Sequence, residues 1–314
     1  MTTRMGMLIG LCLLILAGSP FVGLTSIEDL TPFIFWEIRF PRFLNGFLVG
    51  ATLATTGCAF QSLFRNPLAT PSTTGTTAGA SLGALIAIVC LSSTGFLNGY
   101  TLMIMAFVGA MAISIPLALL SEHPNIRTGD ILLAGIGCTL AMGAISTGLQ
   151  FTADMSETYR AVQWSLGTLS NVGYDSTLLL SIPTILSTLG ILRQSRGLSA
   201  MASGEEMAWS QGVNIYKIRR NTLLWAALGV GTCVAQCGPI AFVGLVVPHI
   251  IRLALQHSGQ IVLWWSPIIG GTFLVLCDGI ARILMSGGEI PVGVITAAFG
   301  APMLIGLIWL RRKP

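Results

Sequence analysis

The 314-residue sequence contains few charged residues. Asp, Glu, Lys and Arg make up only 9% of it, whereas 53% of the residues are hydrophobic, and the mean hydropathy is +0.81. About 25% of the residues of a soluble globular domain are charged, so this composition excludes an ordinary soluble protein. It also disfavours a disordered chain and a nucleic-acid-binding protein, because both depend on abundant charge. We therefore predict an integral protein of the lipid bilayer.

The residues needed for nucleotide or ion chemistry are also scarce. Lys217 and Lys313 are the two lysines, and neither follows the glycine of a phosphate-binding Gly-Lys-Ser/Thr loop. No Asp or Glu lies near the centre of an apolar run, where ion-coupled carriers usually keep such groups. Asp278 comes nearest, and we favour an ion pair with Arg282, one helical turn later, over a proton relay. The sequence predicts neither an enzyme nor a protein that itself hydrolyses ATP.

The seven cysteines all lie in apolar runs and include no Cys-x-x-Cys pair. They are interpreted as small buried hydrophobic residues. A metal site formed by Cys233 and Cys237, one helical turn apart, is an alternative, but no third ligand is evident. We predict no metal site and no cofactor.

Ten apolar runs predict ten membrane-spanning helices. They fall near 5–24, 43–62, 76–96, 100–120, 130–151, 176–193, 222–241, 242–255, 261–281 and 292–310. Gly238 and Pro239 separate the seventh run from the short eighth, because proline disfavours helix at the residue before it. The resulting fold class is an all-α membrane bundle, with a single domain over 1–314 and one sizeable connecting loop at about 194–221.

The positions of the cations orient this bundle. With the N-terminus in the cytoplasm, twelve of the sixteen Lys and Arg residues fall on the cytoplasmic side, as the positive-inside tendency requires. Both termini are therefore predicted to be cytoplasmic. A cleaved signal peptide over 1–24 is an alternative, because Arg4, an apolar run and Ala17-Gly18-Ser19 imitate its three regions.

Three of the four cations predicted outside are Arg39, Arg42 and Arg282. Arg39 and Arg42 flank Pro41 just before the second span. Arginine grips carboxylates with two parallel hydrogen bonds, so this group suits docking of an acidic soluble partner. The alternative is local pairing with Glu37 and Glu289, or snorkelling at the interface.

The loop at about 194–221 holds a second unusual pattern. Ser203 with Glu206 predicts a helix start, Gly212 a helix stop, and Asn214 the cap of a second short helix leading into the seventh span. Met207 and Trp209 are expected to be exposed among charges. Such a segment suits insertion into a partner's cleft, or else it is a connector lying on the membrane surface.

Six blocks, taken in order, resemble the FecCD-type permeases. These permeases are the membrane subunits of type II ABC importers for ferric siderophores, haem or cobalamin. The blocks are Arg39-Phe40-Pro41-Arg42; Asn66-Pro67-Leu68-Ala69; Leu132-Leu133-Ala134-Gly135; Gly204-Glu205 with Ala208 and Gly212; 238–249; and 278–282 through 289–293. The resemblance extends over nearly the whole chain.

The resemblance implies a transport assembly. It implies a second permease subunit, identical or paralogous, two cytoplasmic ATPase subunits and a periplasmic or lipid-anchored binding protein. The cargo would be a metal chelate, with an iron-siderophore as the expected substrate, carried across the bacterial inner membrane into the cytoplasm. The alternative is an ion-coupled secondary transporter.

The resemblance also implies three sets of site residues. Arg39, Arg42 and Arg282 match the arginines that meet the binding protein. Gly204, Glu205, Ala208 and Gly212 match the segment that couples to the ATPase. Asn66, Leu68 and Thr128 match positions near the cytoplasmic gate, although Gly129 and Asp130 depart from the pattern expected beside Thr128.

Overall fold

The computed structural model describes residues 2–22, 31–91, 97–170, 173–284 and 289–311. Within these ranges the regular secondary structure is helical, and no β-strand is present. The α-helices are α1 (Thr2–Gly18), α2 (Phe40–Leu63), α3 (Thr76–Leu91), α4 (Gly99–Leu120), α5 (Thr128–Phe151), α6 (Met155–Ser165), α7 (Tyr174–Leu192), α8 (Ser195–Ser203), α9 (Glu205–Ser210), α10 (Ile215–Cys237), α11 (Val243–Leu255), α12 (Gln260–Ile283) and α13 (Val292–Arg311).

Each of the ten predicted spans coincides with one of these helices, which confirms the all-α membrane architecture. Five segments of the described chain are both long and apolar enough to cross a bilayer: Ile34–Leu63, Gly99–Leu120, Thr128–Phe151, Tyr174–Leu192 and Gln260–Ile283. The remaining predicted spans correspond to α1, α3, α10, α11 and α13. The placement of the termini in the cytoplasm stays a prediction.

Several predicted boundaries were wrong. The second span begins earlier than expected, because a π-helical segment, Ile34–Arg39, runs directly into α2. Arg39 and Arg42 therefore lie within a continuous helix rather than before it. Pro41, which has no amide hydrogen to donate, lies at the position where the π-helical segment gives way to the α-helix. α10 begins seven positions before the predicted 222, and α6 was not predicted.

The loop over 194–221 also folds differently in detail. Ser203 is the last residue of α8, and Gly204 takes the N-cap position of α9. Only glycine readily adopts the φ of 124° found at Gly204. Asn214 does cap a helix, accepting a hydrogen bond from the Lys217 amide at 3.0 Å, but that helix is α10 itself. Gly212, with φ 74°, ends the α9 segment as predicted.

Contacts near the helix ends define two ends of the bundle. At the arginine end, Arg42 of α2 meets Asp278 of α12, and the Gly293 amide in the first turn of α13 donates to the Gly167 carbonyl. At the loop end, α9 meets the start of α5 through Glu205 and Thr128. Successive spanning helices alternate between these ends, as the predicted topology requires.

Burial differs sharply between α2 and α5. In the most apolar stretch of Ile34–Leu63, which contains α2, 78% of the residues are buried. In the most apolar stretch of α5, 11% of the residues are buried. α2 packs closely because glycines face its neighbours: a Cβ on Gly50 or Gly57 would overlap the carbonyl oxygen of Gly270 or Gly244. Close backbone approach through small residues is a common way to pack membrane helices. α2 is thus the central helix of the subunit and α5 lies at its surface.

Five cysteines are buried, as predicted for the group. Cys90 is exposed and Cys138 is half-buried, so the prediction was wrong for these two. Cys90 is the penultimate residue of α3, and Cys138 lies on the sparsely packed α5. Neither location provides the covering helices that bury the other five.

Candidate functional site

The arginine end is built around the buried carboxylate of Asp278. Arg42 donates to it from Nε at 3.1 and 3.2 Å and from Nη2 at 2.8 Å. Nη1 of Arg42 donates to both oxygens of Glu289, at 2.8 and 2.9 Å. Arg282 pairs with Asp278 at 3.2 Å, which confirms the predicted pairing. Together these contacts tie α2, α12 and the start of α13.

The remaining arginine donors bind the backbone that follows α1. Arg39 Nη1 donates to the carbonyls of Pro20 and Val22 at 2.8 and 3.0 Å. Arg282 donates to the carbonyls of Val22 and Ser19 at 3.1 and 3.2 Å. The three predicted docking arginines therefore come together in space, and each makes contacts within the chain. The Arg42–Glu289 pair is the local pairing given above as the alternative to docking, and the contacts hold all three guanidinium groups in fixed directions.

The clustered side chains themselves are not balanced in charge. Arg42 and Arg282 pair with Asp278 and Glu289, whereas Arg39 binds backbone carbonyls, so the three arginines exceed the two carboxylates of the cluster by one positive charge. Hydrogen bonds from Arg42 lower the pKa of Glu289, and the positive charges of Arg42 and Arg282 add to this effect against a smaller cost of burial. Glu289 is therefore a stable anion, and the excess positive charge persists at neutral pH.

At the loop end, α9 and its flanking glycines form a compact projection. Ala208 is fully buried, and its carbonyl accepts a hydrogen bond from the Val213 amide at 3.0 Å. Met207 and Trp209 are exposed, as expected from the sequence. The ring of Trp209 lies edge-on to Tyr216 of α10, with centroids 6.3 Å apart. One side of α9 is thus anchored, while an apolar side remains available to a partner.

The first residue of α9 is joined to the first residue of α5. Oε1 of Glu205 accepts from the Thr128 amide at 3.3 Å and from the Thr128 hydroxyl. Burial disfavours the charged Glu205 carboxylate, but the donors of Thr128 and Arg219 outweigh that cost, so the pKa of Glu205 is lowered. The structure therefore places a predicted coupling residue directly against a predicted gate residue.

Arg219 completes this junction, and the sequence reasoning missed it. Its Nη2 lies 2.6 Å from Glu205 Oε1, and its Nε donates to Thr128 Oγ1 at 2.7 Å. The side chain is only 2% exposed. A signal was present in the sequence, because helical spacing places Arg219 in line with the apolar positions Ile215 and Leu223.

Asn66 and Leu68 lie in the segment after α2. Asn66 Oδ1 accepts from the Leu68 amide at 2.9 Å, forming a local turn. Leu68 is exposed and lines a mostly apolar cavity of about 330 Å³, together with residues of α2, α10 and the segment before α11. Among the described residues, no hydrogen bond joins Thr128 to Asn66 or Leu68.

The gate segment nevertheless reaches α5 through its next turn. Gly135 of α5 lies against Thr74, since a Cβ on Gly135 would be 2.6 Å from the Thr74 Cα. Thr139 of α5 donates to the Ser72 carbonyl at 3.2 Å. One helix, α5, therefore contacts both α9 and the segment that carries Leu68.

Comparison with known proteins identifies the fold and the family. The FecCD transport family matches residues 6–310. The chain belongs to the FecCD transport family. It is similar to the hemin transport system permease protein HmuU of Yersinia pestis, with 35% identity over 92% of this chain and 87% of that protein. It also resembles the vitamin B12 import system permease protein BtuC of Vibrio cholerae, with 32% identity over 96% and 91% of the two chains.

Solved structures agree with this FecCD assignment. A metal-chelate type ABC transporter in an inward-facing conformation superposes with a TM-score of 0.86 at 28% identity, over 98% of this chain and 99% of that one. PsaBC from Streptococcus pneumoniae, in complex with Fab, shares the fold alone, with a TM-score of 0.56 at 16% identity over 89% and 94% of the chains. The chain is a permease subunit of the ABC importer class, as the resemblance predicted.

Proposed function

We propose that this FecCD permease moves a bulky metal chelate, with a ferric siderophore as the first candidate, across the bacterial inner membrane into the cytoplasm. Residues 1–314 form one permease domain in this proposal, and a separate ATPase supplies the energy. The observation that carries it is the family match over 6–310. That match does not favour the ion-coupled alternative, because relatives of this chain are permease proteins of a hemin transport system and a vitamin B12 import system.

The arginine end is the proposed docking surface for an acidic binding protein. Its support is the clustering of Arg39, Arg42 and Arg282 with one positive charge in excess. Guanidinium groups that are already oriented lose less conformational freedom when they bind a carboxylate. A glutamate of the binding protein would then share donors that now contact backbone carbonyls or Glu289.

α9 is the proposed contact with the ATPase, through Gly204, Glu205, Ala208 and Gly212. Gly204 and Gly212 set the two ends of the projection, and Ala208 anchors it. The contact itself would be made by the exposed side chains of Met207 and Trp209, because a small apolar surface rimmed by charges is typical of a helix that docks in a cleft.

α5 is the proposed contact with a second permease subunit, identical or paralogous. Gly137, Ala141, Ala144 and Gly148 recur at helical spacing, and all four are exposed. A Cβ added to Gly137 or Gly148 would meet nothing within 4 Å. A stripe of small residues facing outward from a membrane helix is typical of close helix packing between subunits. In the assembled pair this face of α5 would border the transport route, with Asn66, Leu68 and Thr128 at its gate.

Affinity purification followed by mass spectrometry tests the assembly. The tagged protein, extracted in mild detergent, is expected to bring down an ATPase and a second permease chain. Absence of any ATPase across several detergents would overturn the importer proposal and favour the secondary transporter. Radioactive ferric siderophore, haem and cobalamin, offered to proteoliposomes that contain the complex and its binding protein, would then distinguish the three substrate classes.

The docking surface has its own test. Arg39→Glu, Arg42→Glu and Arg282→Glu together are expected to abolish uptake while the ATPase still co-purifies. Arg160→Glu on α6 is the matched control, because Arg160 is an exposed cation in a segment predicted on the same side of the membrane. Unchanged uptake in the triple variant would remove the docking assignment.

A further inference from the structure

Arg219 occupies an unusual place for a cation. It lies on the buried face of α10, in line with Ile215, Thr222 and Leu223, all of which are buried. It is among the largest fully buried side chains of the described protein. An arginine in such a place is tolerated only when its charge and its donors are matched. The next residue, Arg220, is half-exposed and forms an ordinary surface pair with Glu122 at 2.5 Å.

The guanidinium of Arg219 joins three parts of the chain. Nη2 pairs with Glu205 at the start of α9 at 2.6 Å. Nε donates to Thr128 at the start of α5 at 2.7 Å, and Nη1 donates to the Ile126 carbonyl before α5, also at 2.7 Å. The planar guanidinium fixes the directions of all three contacts. Thr128 and Glu205 are also bonded to each other, so the network is closed.

The burial of Arg219 makes separation of α9 from α5 unfavourable. The Glu205 side chain is 34% exposed and can exchange its partners for water, whereas Arg219, at 2% exposed, cannot. Moving α9 away on its own would leave a buried charge without a partner, which is strongly destabilising. A displacement of α9 is therefore expected to draw the start of α5 with it.

Within its own chain, α5 is anchored mainly near the network. Three of its residues are buried, Thr128, Ile131 and Gly135, and all lie in its first two turns. A cavity of about 420 Å³ adjoins the junction, lined by Ile126, Glu205, Trp209 and Arg219 among others. Within this chain the helix is therefore held mainly at the end where the network lies, and the cavity leaves space between α9 and the segment that precedes α5.

We propose that Arg219 is a positioning residue that transmits movement of α9 to α5, and through α5 to the gate segment around Leu68. This inference rests on the proposed function, because it takes α9 as the contact with the ATPase. The Glu205–Arg219–Thr128 network thereby links movement of α9 to movement of α5. Neither docking of the ATPase nor hydrolysis of ATP depends on this link.

The test measures gate response and ATP hydrolysis separately in the purified permease–ATPase complex. The reporter is Leu68→Cys, in a chain that also carries Cys90→Ser and Cys138→Ser, and the rate at which a maleimide labels it is measured with and without ATP and vanadate. Arg219→Met is expected to reduce the nucleotide-dependent change in labelling rate about tenfold, while ATP hydrolysis stays within about twofold of the parent. Arg220→Met is the matched control and is expected to change neither quantity.

Each outcome has a definite meaning. A purely structural role for Arg219 would lower complex yield, hydrolysis and labelling response together, and that result would overturn the proposal. An unchanged labelling response in Arg219→Met would also overturn it. If that variant does not assemble, Arg219→Lys decides, because lysine keeps the charge beside Glu205 but lacks the guanidinium geometry that reaches Thr128 and Ile126 together. A normal response in Arg219→Lys would refute the proposal.

Failure of the proposed function would look different. In that case the parent complex, with Arg219 intact, would show no ATPase partner or no nucleotide-dependent labelling of the introduced thiol. A responsive parent together with a responsive Arg219→Met variant would leave the importer function standing and remove only the role assigned to Arg219.

Discussion

The two ends of the bundle each bury an arginine against an acid, but they do so with different charge balance. At the arginine end, Arg42 and Arg282 pair with Asp278 and Glu289, while Arg39 beside them donates to backbone carbonyls. At the loop end, the buried Arg219 is matched by a single carboxylate, that of Glu205, and by two neutral acceptors, the Thr128 hydroxyl and the Ile126 carbonyl. The first cluster keeps an excess of positive charge, whereas the second is neutral and closed.

This difference separates two tasks that charged groups can perform in a transporter. An excess of one sign that is held in place attracts a partner of the opposite sign. A neutral, closed network attracts nothing, but it resists being pulled apart and so connects the elements that share it. The arginine end is therefore suited to recognition, and the loop end to the transmission of movement.

The largest effect on stability is expected from Asp278→Asn. Asp278 is nearly buried, and Arg42 and Arg282, which pair with it, are 11% and 14% exposed. Removing its charge leaves two poorly solvated arginines facing a neutral group, which should destabilise the protein by about 3 kcal/mol. Thermal unfolding in detergent measures this loss of stability.

Glu289→Gln is the control, because Glu289 is 51% exposed and its pair should contribute below about 1 kcal/mol. Equal effects of the two changes would show that burial does not set the strength of this cluster.

A smaller loss is expected from Arg219→Met. Glu205 would remain, but it keeps its bonds from Thr128 and can reach water, so the cost should be about 2 kcal/mol. Unfolding by guanidinium chloride in detergent gives the value, with Arg220→Met as the control on the adjacent exposed pair. A loss larger than that of Asp278→Asn would contradict the comparison between the two ends.

The sequence predicted what local patterns encode. Apolar runs predicted the spanning helices, and the Gly238-Pro239 pair predicted the break between α10 and α11. The spacing of four residues predicted the Asp278–Arg282 ion pair. The wider clusters were not predictable, because Arg42 and Asp278 are 236 positions apart and Thr128 and Arg219 are 91 apart. Only the folded bundle brings these residues together, so the pairs could not be predicted from local spacing.

Substitutions of the glycines at the two ends of α9 test whether the backbone conformation at Gly204 positions Glu205. Gly204 has φ 124° and ψ 154°, a region that is open almost only to glycine, so Gly204→Ala should cost about 2 kcal/mol. Gly212 has φ 74°, a left-handed conformation that asparagine tolerates, so Gly212→Asn should cost below about 1 kcal/mol. Thermal unfolding compares them. If Gly204→Ala were the milder change, the strained turn at Gly204 would not be what positions Glu205.

The smallest expected effect is a dependence of stability on acid pH. The pKa values of Glu205 and Glu289 are both lowered in the folded protein, by the arginine and threonine donors around them. A carboxylate with a lowered pKa stabilises the folded state fully above its unfolded pKa of about 4.3, and this contribution is lost as the pH falls through the folded value. The unfolding temperature should therefore change little between neutral pH and about pH 5.5, and then fall below about pH 4.3. Because both side chains are partly exposed, each contribution should be under about 1 kcal/mol.

Variants at the two carboxylates test this prediction. Glu205→Gln and Glu289→Gln should each reduce the fall in unfolding temperature that occurs below about pH 4.3. A loss of stability that begins near pH 6 and persists in both variants would point to a histidine rather than to these carboxylates. The sensitivity to acid would then not arise from the charged clusters at the two ends.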